Sequence, residues 1–210
     1  MSADRSRPAL GRADVELIAD DIAFEGFNRL HLVRLRHRRH DGFWSREIER
    51  EVFERANAAA LLPYDPVLDR VVLVEQFRPG PFMAGLTCWQ LEPVAGVIRP
   101  GEDPLAVARR EAHEEAGCDI IAVEPICTYT VSPGYATETV VAYCGRVDAA
   151  ALGGVHGIGE EDEDTRAHVL GFDEAMARLA SGELQFALTV ICLQWLALNR
   201  ARLRALWRAR

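Results

Sequence analysis

The chain has 210 residues, of which 49% are apolar and 27% charged, enough for one globular domain with a smaller attachment. No apolar run reaches the ~18–20 residues that a membrane span needs, and residues 1–8 lack the apolar core of a secretory signal. A net charge of −8 disfavours nucleic acid as a partner and admits a phosphorylated small molecule only where cations screen the encounter.

Residues 1–12 read as a frayed polar tail. Residues 13–55 are strand-like: Val15-Glu16-Leu17 opens the stretch and 27–35 mixes apolar and basic residues. Asp41-Gly42 is then a turn signal before a second run over 43–53. This predicts a small antiparallel β domain ahead of a main domain at 56–210. In the main domain, apolar runs at 58–62 and 71–77 flank Pro63-Tyr64-Asp65-Pro66 and Asp69-Arg70, a second hairpin, and 89–97 reads as strand about Pro93. Asp103-Pro104 is an N-cap acid with proline in the first helical position; the helix should run to Ala116 and stop at Gly117.

Strands follow near 120–129 and 138–147, then an acidic loop over 153–164 and a short strand over 167–171. Helices close the chain at 173–180 and from about Ala187, the last with Leu188, Ile191, Cys192, Trp195 and Leu198 as its apolar face. Two basic clusters, at 34–39 and at Arg200, Arg202, Arg204, Arg208 and Arg210, read as solvated faces. Five widely spaced cysteines without a Cys-x-x-Cys pair argue against a disulfide framework or a zinc ribbon, and for a reducing cytoplasm. The sum is an α+β chain.

Glu111, Glu114 and Glu115 stand at i, i+3 and i+4 and share one helical face. On most helices such a face is merely solvated. Here Leu105, Ala108, Ala112 and Ala116 form a neighbouring stripe of mostly small residues that permits close docking on a sheet, which would half-bury the carboxylates. Two like charges ~4 Å apart then repel by about 4 kcal/mol at an effective dielectric of 20. A divalent cation relieves that repulsion, and hard oxygen donors suit Mg²⁺, with Mn²⁺ as a substitute.

Gly96, five residues, Glu102, seven residues and Arg110-Glu111-Ala112-His113-Glu114-Glu115-Ala116-Gly117-Cys118 together resemble the 23-residue Nudix box. Every fixed glycine, arginine and glutamate of that pattern is present; Ala112 and Cys118 replace bulky aliphatics. The resemblance implies an α/β/α sandwich with a mixed sheet and hydrolysis of a nucleoside diphosphate linked to another group. It implies Glu111 and Glu115 as principal metal ligands, Glu114 as a helper, the Ala95 carbonyl as a further ligand, Arg110 as the group that orients a glutamate, and Glu102 as a brace for the loop.

Pro133, 16 residues after Gly117, looks like the ADP-ribose pyrophosphatase branch of the family. So do the runs Arg50-Glu51-Val52-Phe53, Glu75-Gln76-Phe77-Arg78, Glu92-Pro93-Val94-Ala95-Gly96 and Glu160-Glu161-Asp162-Glu163-Asp164. In that branch a glutamate of the acidic loop activates water, which falls on Glu161, with Glu163 as a further ligand or as the base itself. Phe27 and Arg50 would sandwich adenine, with Glu51 nearby. Arg78 would hold the diphosphate, and Ser132 and Glu138 would lie near the terminal ribose. The branch also implies a homodimer with an exchanged N-terminal sheet. The reaction implied is ADP-ribose to AMP and ribose 5-phosphate; the rivals are another sugar nucleotide such as GDP-mannose, a non-catalytic ADP-ribose sensor, and a structural protein with a merely solvated acidic helix.

Overall fold

The computed structural model describes residues 9–156 and 164–208. The chain forms two compact units, one running up to Ala56 together with Ser132–Glu138, the other comprising Asn57–Val131 and the chain from Thr139 onward.

In the first unit, β1 (Val15–Glu25), β2 (Arg29–His37) and β3 (Ile48–Glu54) pair antiparallel in that order. The Asp41-Gly42 turn forms: the Asp41 carboxylate accepts from the Phe43 N–H at 3.0 Å, and Gly42 has a φ of 91°. The second run of this sheet starts later than residue 43, because residues 43–47 are engaged otherwise. The guanidiniums of Arg36 and Arg38 lie 5.0 and 4.5 Å from the Trp44 ring centroid, and the Ser45 hydroxyl accepts from the His37 N–H. Ser132–Glu138 runs alongside β3, with the Phe53 N–H donating to the Tyr135 carbonyl at 2.7 Å and the Thr137 N–H to the Phe53 carbonyl at 3.1 Å.

The second unit is built on a mixed sheet. Its strands are β4 (Ala58–Asp65), β5 (Arg70–Phe77), β6 (Trp89–Glu92), β7 (Val94–Val97), β8 (Ala122–Thr130), β9 (Thr139–Arg146), β10 (Gly154–His156) and β11 (Thr165–Gly171). The order is β10-β11-β5-β4-β9-β8; β4 and β9 run parallel and the other pairs antiparallel. β4 and β5 pair only at their turn, Tyr64↔Val71 and Asp65↔Arg70, and then diverge. β7 pairs with the open half of β4 and β6 with the open half of β5. Pro93, which has no N–H to give a ladder, marks the break between them. A short helix, α1 (Pro79–Met83), precedes β6; it carries no periodic apolar pattern that would betray it in the sequence.

Both faces of this sheet are covered. Ala59, Leu61, Val72, Val74 and Val94 pack on α2 (Pro104–Ala116); Leu62, Tyr64, Val71 and Leu73 pack on the side of α3 (Phe172–Ala180) and α4 (Ala187–Arg208). Alternate residues of β4 and β5 thus enter opposite cores, which is why these strands read as unbroken apolar runs. The layering is the α/β/α sandwich expected.

Two expectations for the C-terminal helix change. Its inward stripe is Thr189, Cys192, Leu193, Leu196, Leu203 and Trp207, whereas Leu198 is 88% exposed, about 200° round the helix from Leu196. The arginines of α4 are anchors rather than a solvated face. The Asp69 carboxylate, in the left-handed turn of the β4–β5 hairpin (φ 59°), accepts from Arg200, from Arg204 at 2.5 Å and from the Tyr64 hydroxyl at 2.7 Å. Arg208 donates to the carbonyls of Pro66 and Val67, and Arg202 pairs with Glu124.

Burial alone would raise the Asp69 carboxyl; the bonds from Arg200 and Tyr64 outweigh it and hold the group below its ordinary 3.8. Its stabilising contribution is therefore complete above pH 3.8 and fades as pH falls through the lower folded value. Asparagine tolerates the left-handed turn, so Asp69→Asn isolates the charge. Urea unfolding at neutral pH should show a loss of about 2 kcal/mol, narrowing on acidification below 3.8. A gap that stays constant with pH would sink this account.

Candidate functional site

Helix α2 is fixed at both ends by local chemistry. The Asp103 side chain accepts from the Ala106 N–H at 2.9 Å, Pro104 supplies the pre-set first turn, and Gly117 ends the helix at φ 62°. Its seam of Val107, Ala108, Ala112 and Ala116 is buried on the sheet. Ala112 and Cys118 are wholly packed there, and burial pushes the Cys118 thiol up to about 12, leaving it inert.

This docking carries the carboxylates in with it. Glu115 is 4% exposed and its Oε2 accepts from the Ala95 N–H at 3.2 Å. The Glu111 side chain, 12% exposed, lies on Gly96 so closely that a Cβ there would stand 1.9 Å from its Oε1. Arg110 spans the face, with Nη2 at 2.7 Å from Glu111 Oε1 and Nη1 at 2.8 Å from Glu114 Oε2. Burial alone would lower the Arg110 pKa; Glu111 and then Glu114 reverse this and raise it, so the guanidinium stays charged. Glu102 accepts from the Arg99 N–H at 2.8 Å within the loop that leads into the helix.

Among the described residues no group of three or more His, Cys, Asp or Glu side chains is arranged to hold a metal ion. One buried and one largely covered carboxylate on a helix face are nevertheless donors that suit Mg²⁺, which keeps several waters and takes one or two carboxylates plus substrate phosphates rather than a full protein cage. The glycine cradle at Gly96, filled by Glu111 rather than by a side chain of its own, fits that use. Glu161 and Glu163 lie outside the described residues.

On β5, Arg78 follows Phe77, and its Nε donates to Glu92 Oε1 at 2.7 Å. Glu92 is buried, which raises its carboxyl pKa despite the opposing pull of Arg78. No role for Glu92 follows from the sequence alone; its local signal is a lone carboxylate closing the short strand Trp89–Glu92. In the first unit, Phe27 is 91% exposed at the β1–β2 turn, while Arg50 and Glu51 face Val33 and Leu32 across the β2–β3 ladder. Arg29 pairs with Glu54 there, so Arg50 stands about 13 Å along the sheet from that end, with Phe27 beyond it. One copy of the unit does not bring Phe27 and Arg50 together. Ser132 opens the segment beside β3, where its carbonyl accepts from the N–H groups of Tyr135 and Ala136. Glu138 accepts from Arg55 Nη1 at 3.1 Å, a pairing across 83 positions that no local pattern signals.

The sequence model of the NUDIX domain matches residues 54–188. The chain is 44% identical over 197 residues to the ADP-ribose pyrophosphatase of Escherichia coli (strain K12), covering 94% of both chains. It is 33% identical over 186 residues to the GDP-mannose pyrophosphatase of Cronobacter sakazakii, covering 89% of this chain and 96% of the relative. Its fold is similar to that of a crystal structure described as an ADP compounds hydrolase, with a TM-score of 0.65 at 19% identity, over 91% of this chain and 97% of that one.

The contact at Gly96 is testable. In Gly96→Ala the atoms nearest the added methyl all belong to the Glu111 side chain, so that side chain must be displaced, and Mg²⁺ affinity should fall about 10-fold in protein that still folds. Undiminished Mg²⁺ binding by calorimetry would remove Glu111 from the ligand set.

Proposed function

The chain belongs to the Nudix family, and we propose that it hydrolyses the diphosphate of ADP-ribose to AMP and ribose 5-phosphate. The observation that carries this reading is the pair of buried Glu115 and largely covered Glu111, set against the backbone of Ala95 and Gly96. A protein that only senses ADP-ribose has no need of two buried carboxylates, and a structural helix would leave them in water. The choice of ADP-ribose is supported by 44% identity to an ADP-ribose pyrophosphatase, against 33% to a GDP-mannose pyrophosphatase.

In this proposal Glu111, Glu115 and the Ala95 carbonyl hold Mg²⁺, with Glu114 and Glu163 as further donors and Mn²⁺ as a substitute. When bound, the ion supplies positive charge against the diphosphate and makes water more acidic. Arg110 keeps Glu111 and Glu114 oriented through its two Nη groups. Glu161 accepts a proton from the attacking water, Arg78 engages the diphosphate, and Ser132 and Glu138 face the terminal ribose. Phe27, Arg50 and Glu51 take the adenine.

The spacing of Phe27 and Arg50 along one sheet supports a homodimer in which the two residues reach a shared adenine from different chains. The exposed apolar residues of β1, Leu17, Ile22 and Phe24 among them, would be covered in such an exchange. Five unpaired cysteines support a cytoplasmic setting, and among the described residues no helix is long and apolar enough to cross a membrane.

Three outcomes check these statements. Purified protein with Mg²⁺ should release AMP from ADP-ribose faster than it cleaves GDP-mannose, and a reversed preference would transfer the assignment. Glu115→Gln should reduce AMP release by at least about 10³-fold; of Glu161→Gln and Glu163→Gln, the variant that loses kcat while keeping Mg²⁺ affinity identifies the base. Sedimentation equilibrium should give twice the 23.3 kDa of the chain, and a monomer would contradict the exchange.

A further inference from the structure

Glu92 is a buried carboxylate that the proposed chemistry leaves unused. It pairs with Val74 across the β5–β6 ladder, and residues directly opposite in an antiparallel pair project to the same side of the sheet. Val74 packs in the core shared with α2, so Glu92 points to the side that carries Glu111 and Glu115. Three residues further on, the Ala95 N–H meets Glu115. Glu92 therefore sits between Arg78 and the backbone of the carboxylate site.

The fold has no need of a charge there. Strand β6 is held by its ladder and by the Thr189 hydroxyl donating to the Leu91 carbonyl, and a carboxylate among valines costs desolvation that an apolar side chain would avoid. The charge does serve Arg78. That residue's N–H donates to the Cys88 carbonyl at 2.8 Å, which fixes its backbone, and its Nε donates to Glu92 at 2.7 Å, which fixes the plane of the guanidinium and the direction of its Nη groups. We propose that Glu92 is a positioning residue that aims Arg78 at the diphosphate of the substrate. The proposal rests on the reading of Arg78 as the diphosphate-binding residue.

The test is a double-mutant cycle on the full-length protein with Mg²⁺. KM and kcat are measured on ADP-ribose, and Kd by calorimetry for a non-hydrolysable methylene analogue. Arg78→Gln and Glu92→Gln should each raise KM and Kd about 10-fold or more, with kcat within about 3-fold. The double variant should be no worse than Arg78→Gln alone. Because Glu92 is buried, Arg78→Lys probes the same link without touching the core: it keeps the charge, lacks Nε, and should match Arg78→Gln. A costly Arg78→Gln beside a Glu92→Gln within 2-fold of wild type overturns the positioning role and leaves the diphosphate reading standing. Additive losses in the cycle, or an Arg78→Lys that binds like wild type, also overturn it. An Arg78→Gln that binds like wild type overturns the diphosphate reading itself.

Discussion

A helix can set carboxylates against the backbone of a strand only if nothing on either surface holds the two apart. Gly96 on one side and Ala108, Ala112 and Ala116 on the other meet that condition. The consequence is electrostatic. Glu111 and Glu115 lose much of their water together, and their mutual repulsion rises as the local dielectric falls. One guanidinium, Arg110, is shared between Glu111 and Glu114, while Glu115 takes a backbone N–H. Such a site keeps repulsion that a divalent cation would relieve, so in the proposed function the packing of small residues contributes to metal affinity alongside the ligands.

The sheet is arranged to serve that contact. Because β4 and β5 diverge after two residue pairs, a gap opens, and β6 and β7 fill it from opposite sides. Pro93 breaks the ladder where the chain passes from one partner to the other. The same short passage brings Glu92 to Arg78 and Ala95 to Glu115, so the Arg78–Glu92 pair and the carboxylates of α2 belong to one side of one sheet. The far end of the β4–β5 hairpin is held from the opposite layer, where Arg200, Arg204 and Arg208 of α4 grip Asp69 and the carbonyls of the turn.

Legibility in the sequence tracked the distance over which each feature is decided. The bounds of α2 could be read because Asp103, Pro104 and Gly117 act within one turn of the residues they cap. The β4–β5 hairpin is readable for the same reason, whereas 89–97, which reads as one strand about Pro93, is two strands with different partners, a division set by the distant β4 and β5. The α4 arginines look solvated in the sequence because Asp69 lies more than 130 positions away in the chain and gives no local sign of them. Leu198 falls on the apolar stripe of the sequence yet faces outward, because apolar spacing marks a stripe without saying where the sheet will touch it. Helix α1 leaves no trace in the sequence because Pro79 and Gly80 carry no period at all.

By itself, the sequence determined the family and with it the reaction class, through the resemblance of residues 96–118 to the Nudix box, whose fixed glycines, arginine and glutamates are countable residues. It also determined the strand runs, because both faces of the central sheet are buried and only apolar residues survive there. The tertiary structure alone decided how deep Glu111 and Glu115 sit, which residue faces Gly96, and that Glu92 holds Arg78. Those are contacts between segments that meet only when the layers close, and burial, unlike spacing, is a property of the closed layers.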